Sequence, residues 1–310
     1  MKQFSALVTG GAGFIGSHLV TALVASGYTV RVFDDLSSGR EENLRAVAAE
    51  ARLIQGDIRD LDALRAAAEG VDTLFHEAAI ASVQRSLDDP DGTLDINVRG
   101  TQNVLEAARR AGARRVVIAS SAAVYGANAT TPLAETLAAE PISHYGAHKL
   151  MAERLCAVYR HLYGLETVAL RYFNVYGPRQ DPRSEYSGVI SRFAATLQAG
   201  GTPTIYGDGE QTRDFIHVTD VARANLLAAT AERAVGGVFN VGSGRPITIN
   251  DLARVMSDLL GVERRPTYQD PRPGDIRRSV ADIARIQETL GYQPRVSLRA
   301  GLADLLGVEG

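Results

Sequence analysis

The chain has a single cysteine, Cys156, so no disulfide can form within it. It has no apolar stretch long enough to span a bilayer, and its glycine-rich turn at residue 10 comes too early for a signal peptide to precede it. Its six histidines lack metal-ligand spacing, since only His144 and His148 form a pair at i, i+4. These absences predict a cytoplasmic protein without disulfides, a membrane segment or a metal site.

The chain also lacks an excess of charge of either sign. The formal net charge is -3 at pH 7, with basic and acidic residues interspersed, so nothing indicates a nucleic-acid partner. The 45% hydrophobic and 22% charged content is typical of a globular protein. A chain of 310 residues can bury a large core and is expected to hold one large domain and a smaller one. Cys156 lies in an apolar run of a predicted helix, which favours a buried position.

The stretch SALVT at residues 5–9, followed by GGAGFIG at 10–16, organises the first half of the chain. The short apolar run predicts a buried parallel strand, and apolar residues at helical spacing follow the glycines. Gly10 and Gly13 allow a tight turn whose backbone approaches a pyrophosphate at the helix N-terminus. Gly16 allows close packing of helix and strand. The pattern predicts a dinucleotide-binding turn.

An acidic residue ends the second predicted strand, at residues 29–33. Asp34 is placed to accept a hydrogen bond from an adenosine ribose hydroxyl. Because a carboxylate repels a ribose 2′-phosphate, Asp34 favours NAD over NADP.

Strands and helices alternate through the rest of the first half. Further strands are predicted at 52–55, 73–76 and 115–119, with helices at 61–69 and 94–111. This alternation predicts a parallel sheet covered by helices, with ligands beyond the carboxyl ends of the strands. Asp57 and Ile58 are predicted there beside the adenine, although Asp57 is also suited to capping the following helix. Ala78 and Ala79 allow close approach to the nicotinamide end of a dinucleotide.

Tyr145 and Lys149 lie four residues apart on one face of a helix predicted at 145–163. An isolated pair of this kind is more often structural. Here it follows a dinucleotide-binding half and the strand-end residue Ser121, which favours catalysis. A tyrosine is a weak base at neutral pH, but a nearby ammonium and a positive nicotinamide ring both favour the phenolate.

These residues resemble the short-chain dehydrogenase/reductase superfamily in its extended form. Later stretches resemble nucleotide-sugar epimerases of the UDP-glucose 4-epimerase type: RYFNVYGP at 171–178, IYGDG at 205–209, RDFIHVTD at 213–220 and RPGD at 272–275. The resemblance covers nearly the whole chain. It implies a Rossmann-type doubly wound α/β fold, NAD as cofactor and a UDP-sugar as substrate.

The resemblance also assigns roles to individual residues. It implies that Tyr145 is the catalytic base, that Ser121 holds the reacting oxygen and that Lys149 lowers the pKa of Tyr145 and binds the nicotinamide ribose. Further cofactor contacts are expected from Phe14, Ile15, Asp35, Ser38, Gly39, Asn97 and Tyr172. Substrate contacts are expected from Ser82, Ser121, Asn174, Gly188, Val189, Tyr206, Arg213, Arg272, Asp275 and Ser279.

The two arginines of the second half suit an anionic substrate, because a guanidinium binds a diphosphate through two donors. Asn174 suits a phosphate or a sugar hydroxyl, and Tyr206 suits a uracil. The structural alternatives are that Arg213 pairs with Asp214 or Asp220 and that Arg272 is solvated. The segment 180–188 is expected to form a loop over the site.

Three departures from the family pattern bear on the reaction. Ala122 and Ala123 stand where the related 4,6-dehydratases carry an Asp-Glu pair, which disfavours elimination of water. Ser279 stands where strict UDP-glucose epimerases carry a tyrosine, and Ala81 replaces a lysine often present in them. The last two predict room for an N-acetyl group. The sequence therefore predicts C4 epimerisation of a UDP-hexose, with UDP-GlcNAc and UDP-GalNAc accepted beside UDP-glucose and UDP-galactose.

The expected domain division is interleaved. Residues 1–173 form the NAD-binding domain, 212–242 return to it, and 174–211 with 243–310 form the substrate domain. A homodimer through the helices at 94–111 and 145–163 is implied by the resemblance, although both apolar faces also suit intramolecular packing. The alternatives to the epimerase are a UDP-uronate 4-epimerase or decarboxylase and a non-catalytic NAD sensor.

Overall fold

The computed structural model describes residues 4–181, 188–271 and 276–309. The strands are β1 Ser5–Thr9, β2 Thr29–Asp34, β3 Ala51–Gln55, β4 Thr73–His76, β5 Arg115–Ser121, β6 Glu166–Tyr172, β7 Asn174–Tyr176, β8 Thr204–Tyr206, β9 Thr212–His217, β10 Val238–Val241, β11 Pro246–Thr248, β12 Thr267–Gln269 and β13 Arg278–Ser279. The α-helices are α1 Phe14–Ala25, α2 Leu61–Ala68, α3 Val83–Asp88, α4 Pro90–Leu94, α5 Gly100–Ala111, α6 His144–Tyr163, α7 Val189–Gln198, α8 Val218–Thr230, α9 Ile249–Leu259, α10 Ala284–Leu290 and α11 Leu298–Leu306.

A seven-stranded sheet forms the centre of the larger of two structural units. Its order is β3-β2-β1-β4-β5-β6-β10, and every neighbouring pair is parallel. The chain crosses from β3 at one edge back to β4 beside β1, so the strand order reverses between β1 and β4. In sheets of this kind the crevice at that reversal, at the carboxyl ends of the strands, binds ligands.

The sheet is buried on both faces because helices pack against each face, and successive side chains of a strand point to opposite faces. Leu7 joins one hydrophobic cluster with Leu105 of α5 and Cys156 of α6, whereas Val8 joins the other with Leu19 of α1. This explains why the sequence of β1 is continuously apolar rather than alternating. Cys156 is buried, as its apolar surroundings predicted.

A smaller unit is built from later parts of the chain. In it β9 pairs with β7 and β13 in parallel and with β11 in antiparallel fashion, and β8 pairs with β12. A separate hydrophobic cluster joins α7, α9 and α11 through Phe193, Met256 and Leu302. Among the described residues, no helix has both the length and the apolar character needed to cross a membrane.

One helix boundary differs from the one expected. The long helix predicted at 94–111 begins earlier, at Pro90, and contains a π-helical turn at Asp95–Arg99 between α4 and α5. The strand Thr212–His217 pairs within the smaller unit, so the return to the large sheet begins with α8 at Val218 and ends with β10 beside β6. The domain division expected at residue 212 stays a prediction.

Candidate active site

The glycine turn between β1 and α1 is packed too tightly for side chains. Gly10 has φ +68°, and a Cβ there would lie 2.6 Å from the amide nitrogen of Ala78. A Cβ at Gly16 would collide with the carbonyl oxygen of Gly10, and the amide of Gly13 donates to that oxygen at 3.1 Å. Phe14 and Ile15 then begin α1. The turn therefore brings the N-terminus of α1 against the loop after β4, which carries Ala78 and Ala79.

Asp34 is buried at the end of β2 and is tied to this turn. Its carboxylate accepts hydrogen bonds from the amides of Ala12 and Leu36, both at 2.9 Å. Burial raises the pKa of Asp34, and the two amide bonds lower it in part. The amide of Arg40 donates to the carbonyl oxygen of Ala12, so the loop containing Ser38 and Gly39 folds back over the glycine turn. Asp35 accepts two bonds from Ser37.

The structure corrects one alternative for Asp57. The side chain that caps α2 is Asp60, which accepts from the amides of Asp62 and Ala63. Asp57 instead binds the guanidinium of Arg59, and these hydrogen bonds lower the pKa of Asp57. Capping by Asp57 is wrong because Asp60 lies directly before the first helical residue. Ile58 is buried against Gly100. A contact with adenine stays a prediction for both residues.

Asn97 holds the loop that follows β4. Its side-chain oxygen accepts from the amide of Ile80 at 2.8 Å, and its nitrogen donates to the Ile80 carbonyl oxygen at 3.1 Å. The carbonyl oxygen of Asn97 accepts a bond from Thr101 in turn. Asn97 is buried within the π-helical turn, so that irregular turn positions the loop of Ala78 and Ala79. Its predicted contact with the cofactor is not tested by this arrangement.

Ser121, Tyr145 and Lys149 come together at the carboxyl end of β5. The side chain of Ser121 lies near enough to the Tyr145 hydroxyl to lower the pKa of that phenol. The Nζ atom of Lys149 lies 5.9 Å from the centroid of the Tyr145 ring and donates to the carbonyl oxygen of Ala119 at 2.7 Å. Helix α6 approaches so closely because it has Gly146 there, where a Cβ would lie 2.6 Å from the carbonyl oxygen of Ala123.

The electrostatics of this cluster differ from the sequence-based expectation. Burial lowers the pKa of Lys149 to about 8, although the carboxyls of Glu77 and Glu153 raise it in part. Burial also raises the pKa of Tyr145, as does Glu77 to a smaller extent, and only Ser121 lowers it. The side chains of this chain therefore favour a neutral phenol. A phenolate needs the positive charge that an oxidised nicotinamide carries.

Tyr172 ends β6 with its hydroxyl buried. The hydroxyl donates to Glu77 Oε1 at 2.8 Å and accepts a bond from the Asn225 amide at 2.7 Å. Because both bonds occupy the hydroxyl, the predicted contact of Tyr172 with the cofactor would have to come from its backbone or its ring. Glu77 was not predicted as a site residue; its only signal was a carboxyl directly after a buried strand.

The smaller unit places Arg213 and Ser279 side by side. Ser279 on β13 is paired with Arg213 on β9, and it is buried. The guanidinium of Arg213 donates to the carbonyl oxygen of Ile276 at 2.6 Å. The two acids considered as its partners are bonded elsewhere. Asp214 accepts from backbone amides at 243, 244 and 281, and Asp220 pairs with Arg223.

The other predicted substrate residues lie on several elements. Asn174 donates to the carbonyl oxygen of Asp214, and Ser82 caps α3 through the amide of Arg85. Gly188 and Val189 begin α7, whose first turn has no side-chain cap. Tyr206 ends β8. Arg272 and Asp275 lie outside the described residues, as does most of the loop predicted at 180–188.

Residues 6–242 match the model of the NAD dependent epimerase/dehydratase family. The chain belongs to this family. It is 43% identical over 301 residues to the UDP-glucose 4-epimerase of Mycolicibacterium smegmatis, covering 96% of each chain.

Two solved structures are similar over nearly their whole length. One is the UDP-N-acetylglucosamine 4-epimerase from Methanobrevibacter ruminantium M1 in complex with UDP-N-acetylmuramic acid, at 40% identity and a TM-score of 0.95, covering 99% of this chain and 98% of that one. The other is the UDP-glucose 4-epimerase of Thermotoga maritima with UDP-glucose, at 39% identity and a TM-score of 0.93, covering 98% of both.

The predicted family, Rossmann-type fold and NAD cofactor are confirmed. The residues present fit NAD on physical grounds. The glycine turn leaves room for a backbone approach at the N-terminus of α1, and the Asp34 carboxylate lies beside that turn, where it suits a ribose. The family includes both epimerases and dehydratases, so its membership does not by itself decide the reaction.

Proposed function

We propose that this protein catalyses NAD-dependent C4 epimerisation of a UDP-hexose through a 4-keto intermediate. The observation that carries the proposal is the convergence of three side chains at the ligand-binding edge of the sheet: Ser121 lies near the Tyr145 hydroxyl, and Lys149 Nζ lies 5.9 Å from the centroid of the Tyr145 ring. The similarity to UDP-hexose 4-epimerases over nearly the whole chain supports the same reaction.

The chain's own residues move a proton at the sugar's 4-oxygen. Tyr145 accepts the proton of the 4-hydroxyl, and Ser121 holds the same oxygen through a hydrogen bond. NAD, when bound, supplies a reversible hydride acceptor for C4. Lys149 binds the nicotinamide ribose and, as an ammonium, adds to the positive charge that the phenolate of Tyr145 needs. The 4-ketose rotates in the pocket so that its other face is presented. Tyr145 returns the proton after C4 has been reduced on that face.

The other residues that bind the substrate contact its nucleotide, far from C4. Arg213 and Arg272 bind the diphosphate, the uncapped first turn of α7 at Gly188 and Val189 contacts the nucleotide, and Tyr206 flanks the uracil. This distribution anchors the nucleotide while it leaves the sugar free to rotate. Ser279 next to Arg213 leaves space for a 2-N-acetyl group, so UDP-GlcNAc is accepted beside UDP-glucose.

Dehydration is disfavoured by the turn that follows β5. Ala122 and Ala123 begin a 3₁₀ turn capped by Ser121, so no carboxyl occupies the positions directly after the catalytic serine. Elimination of water from the sugar needs an acid and a base near C5 and C6. Neither alanine can supply a proton or accept one.

A UDP-uronate is a second candidate substrate, and Arg179 is the cation that we propose for its carboxylate. Arg179 has φ +68°, a conformation that costs about 1–3 kcal/mol in a residue other than glycine. Its Nη1 atom is buried without a hydrogen-bond partner among the described residues. A strained residue with an unsatisfied buried donor calls for an explanation, and a ligand contact would supply one. If Arg179 binds a 6-carboxylate, the Arg179→Met variant loses activity on UDP-glucuronate selectively.

The test is to incubate the purified protein separately with UDP-GlcNAc, UDP-glucose and UDP-glucuronate and to identify the products by NMR. We expect C4 epimers of the first two and faster conversion of UDP-GlcNAc. Tyr145→Phe should reduce turnover by about 10²–10⁴-fold. Near-normal turnover of that variant would contradict the assigned base, and conversion of UDP-glucuronate alone would favour the second candidate.

We further propose that the protein is a cytoplasmic homodimer. The outer face of α6 is apolar and exposed, with Val158 at 47%, Leu162 at 61% and Tyr163 at 53% exposure. Arg154, Ala157 and His161 complete an open, mainly apolar depression there. A second copy of the same helix would bury this face. Sedimentation should show a dimer that Leu162→Glu dissociates, and a monomeric parent protein would overturn the proposal.

A further inference from the structure

Glu77 is a carboxyl inside the site that the mechanism above does not use. It directly follows β4, and its amide donates to the carbonyl oxygen of Thr9 at 3.1 Å. A Cβ on Gly10 would lie 2.9 Å from the carbonyl carbon of Glu77. The backbone of Glu77 is therefore held against the glycine turn, at the reversal of strand order where the cofactor binds.

The orientation of the Glu77 carboxyl is set by a directed chain of hydrogen bonds. The Asn225 side-chain nitrogen donates to the carbonyl oxygen of Val221 at 3.0 Å, which fixes the orientation of the amide. The same nitrogen donates to the Tyr172 hydroxyl oxygen at 2.7 Å. The single proton of Tyr172 is therefore left for Glu77 Oε1, at 2.8 Å. Residues on α8 and β6 thus hold the carboxyl in one place.

The register of β4 and β5 places Glu77 beside the catalytic pair. His76 pairs with Ile118, so Glu77 follows next to Ala119, whose carbonyl oxygen accepts the bond from Lys149 Nζ. Glu77 interacts electrostatically with the ammonium of Lys149 and with the phenol of Tyr145. Glu153 and the neutral His76 also interact electrostatically with Lys149. Burial raises the pKa of Glu77 to about 7, while Tyr172 and Lys149 oppose the rise. The carboxyl therefore changes its charge near neutral pH.

We propose that Glu77 is a positioning residue that sets the protonation of the Tyr145–Lys149 pair. The inference rests on the proposed role of Tyr145 as the base. A carboxylate at Glu77 stabilises the ammonium of Lys149 in its buried place and disfavours the phenolate of Tyr145. Loss of that negative charge has the opposite effect on both groups. Glu77 thus links the charge of the catalytic pair to pH.

The test is Glu77→Gln, because a glutamine oxygen can still accept the Tyr172 bond while the charge is lost. The ionisation of Tyr145 is read from phenolate absorbance near 295 nm, as the difference between each protein and its Tyr145→Phe counterpart. In Glu77→Gln we expect the phenolate to form about one pH unit lower. The acidic limb of the kcat/KM profile should move in the same direction.

Tyr172→Phe is the matched control. It removes the hydrogen bond but keeps the carboxyl, which is still ionised at the high pH where Tyr145 titrates. We therefore expect the Tyr145 titration to stay close to that of the parent protein. An equal shift in both variants, or no shift in Glu77→Gln, would overturn the proposal and indicate a purely structural role.

Two further readouts keep the outcomes separate. If Glu77→Gln does not fold, ¹³C NMR of tyrosine-labelled parent protein replaces it: the Tyr145 ring signal should show a small step near pH 7, and a flat signal would overturn the proposal. The absorbance and NMR titrations of Tyr145 can be measured without any enzymatic activity. An unshifted Tyr145 with an inactive Tyr145→Phe variant would refute only the role of Glu77, whereas an active Tyr145→Phe variant would refute the proposed base.

Discussion

The two halves of the candidate site are assembled in different ways. In the cofactor half, parallel strands end at one edge of a single sheet, and the turn after β1 meets the loop after β4 through backbone atoms. In the substrate half, β7, β9, β11 and β13 come from segments far apart in the chain. The first half depends on strand order and on glycine; the second depends on side chains that join distant segments.

Asp214 shows what joins the substrate half. Its buried carboxylate accepts hydrogen bonds from the amides of Ser243, Gly244 and Ala281 at 2.8, 2.9 and 3.1 Å. Burial raises the pKa of Asp214, and these bonds oppose the rise. One side chain on β9 thus fixes the loops that precede β11 and follow β13. The comparison predicts that a single substitution damages each half differently.

The largest effect is expected from Asp214→Ala, which leaves one buried and two half-buried backbone amides without an acceptor. We expect a loss of about 3–5 kcal/mol in the free energy of unfolding, measured by urea denaturation. Asp208→Ala is the control, because Asp208 pairs with Arg277 on the surface, and its loss should cost less than about 1 kcal/mol. Equal losses of unfolding free energy for the two substitutions would contradict the claim that Asp214 holds the substrate half together.

Gly10→Ala should have the next largest effect, and it should act on the cofactor half. The left-handed backbone and the close approach to Ala78 together predict a cost of about 1–3 kcal/mol and a loss of bound NAD. NAD is measured as the nucleotide absorbance released on denaturation. Gly27→Ala is the control, since Gly27 has φ +81° but no atom near its Cβ position. Full retention of NAD in Gly10→Ala would contradict the tight-turn account.

The smallest effect is expected from Ser279→Tyr, which sharpens the assignment of the substrate half. A tyrosine there should fill the space proposed for the N-acetyl group. The kcat/KM ratio of UDP-GlcNAc to UDP-glucose should then fall by about tenfold or more, because one crowded pocket contact is worth about 1–3 kcal/mol. An unchanged ratio would show that Ser279 does not line the sugar pocket.

The same contrast explains how far prediction from the sequence reached. The strands, the glycine turn and the positions of Ser121, Tyr145 and Lys149 followed from local patterns, because a parallel sheet brings strand ends together. The Asp57 alternative was wrong because two nearby acids, Asp57 and Asp60, compete for one cap, and a pattern does not distinguish them.

Other features lie beyond local patterns. The bond between Tyr172 and Glu77 spans ninety-five residues, and the raised pKa of Tyr145 depends on burial, which only the fold defines. Neither composition nor spacing encodes such contacts. Likewise, pairing of Arg213 with Ser279 required the register of β9 and β13.

The most direct test of the central claim follows the hydrogen on C4. The purified protein with NAD is given UDP-glucose that carries deuterium at C4, and the epimer is analysed by NMR in ordinary water. Oxidation at C4 and return of the same hydride predict full retention of deuterium at C4 in UDP-galactose. Replacement of that deuterium by solvent hydrogen would show that C4 is deprotonated instead, and it would contradict the account.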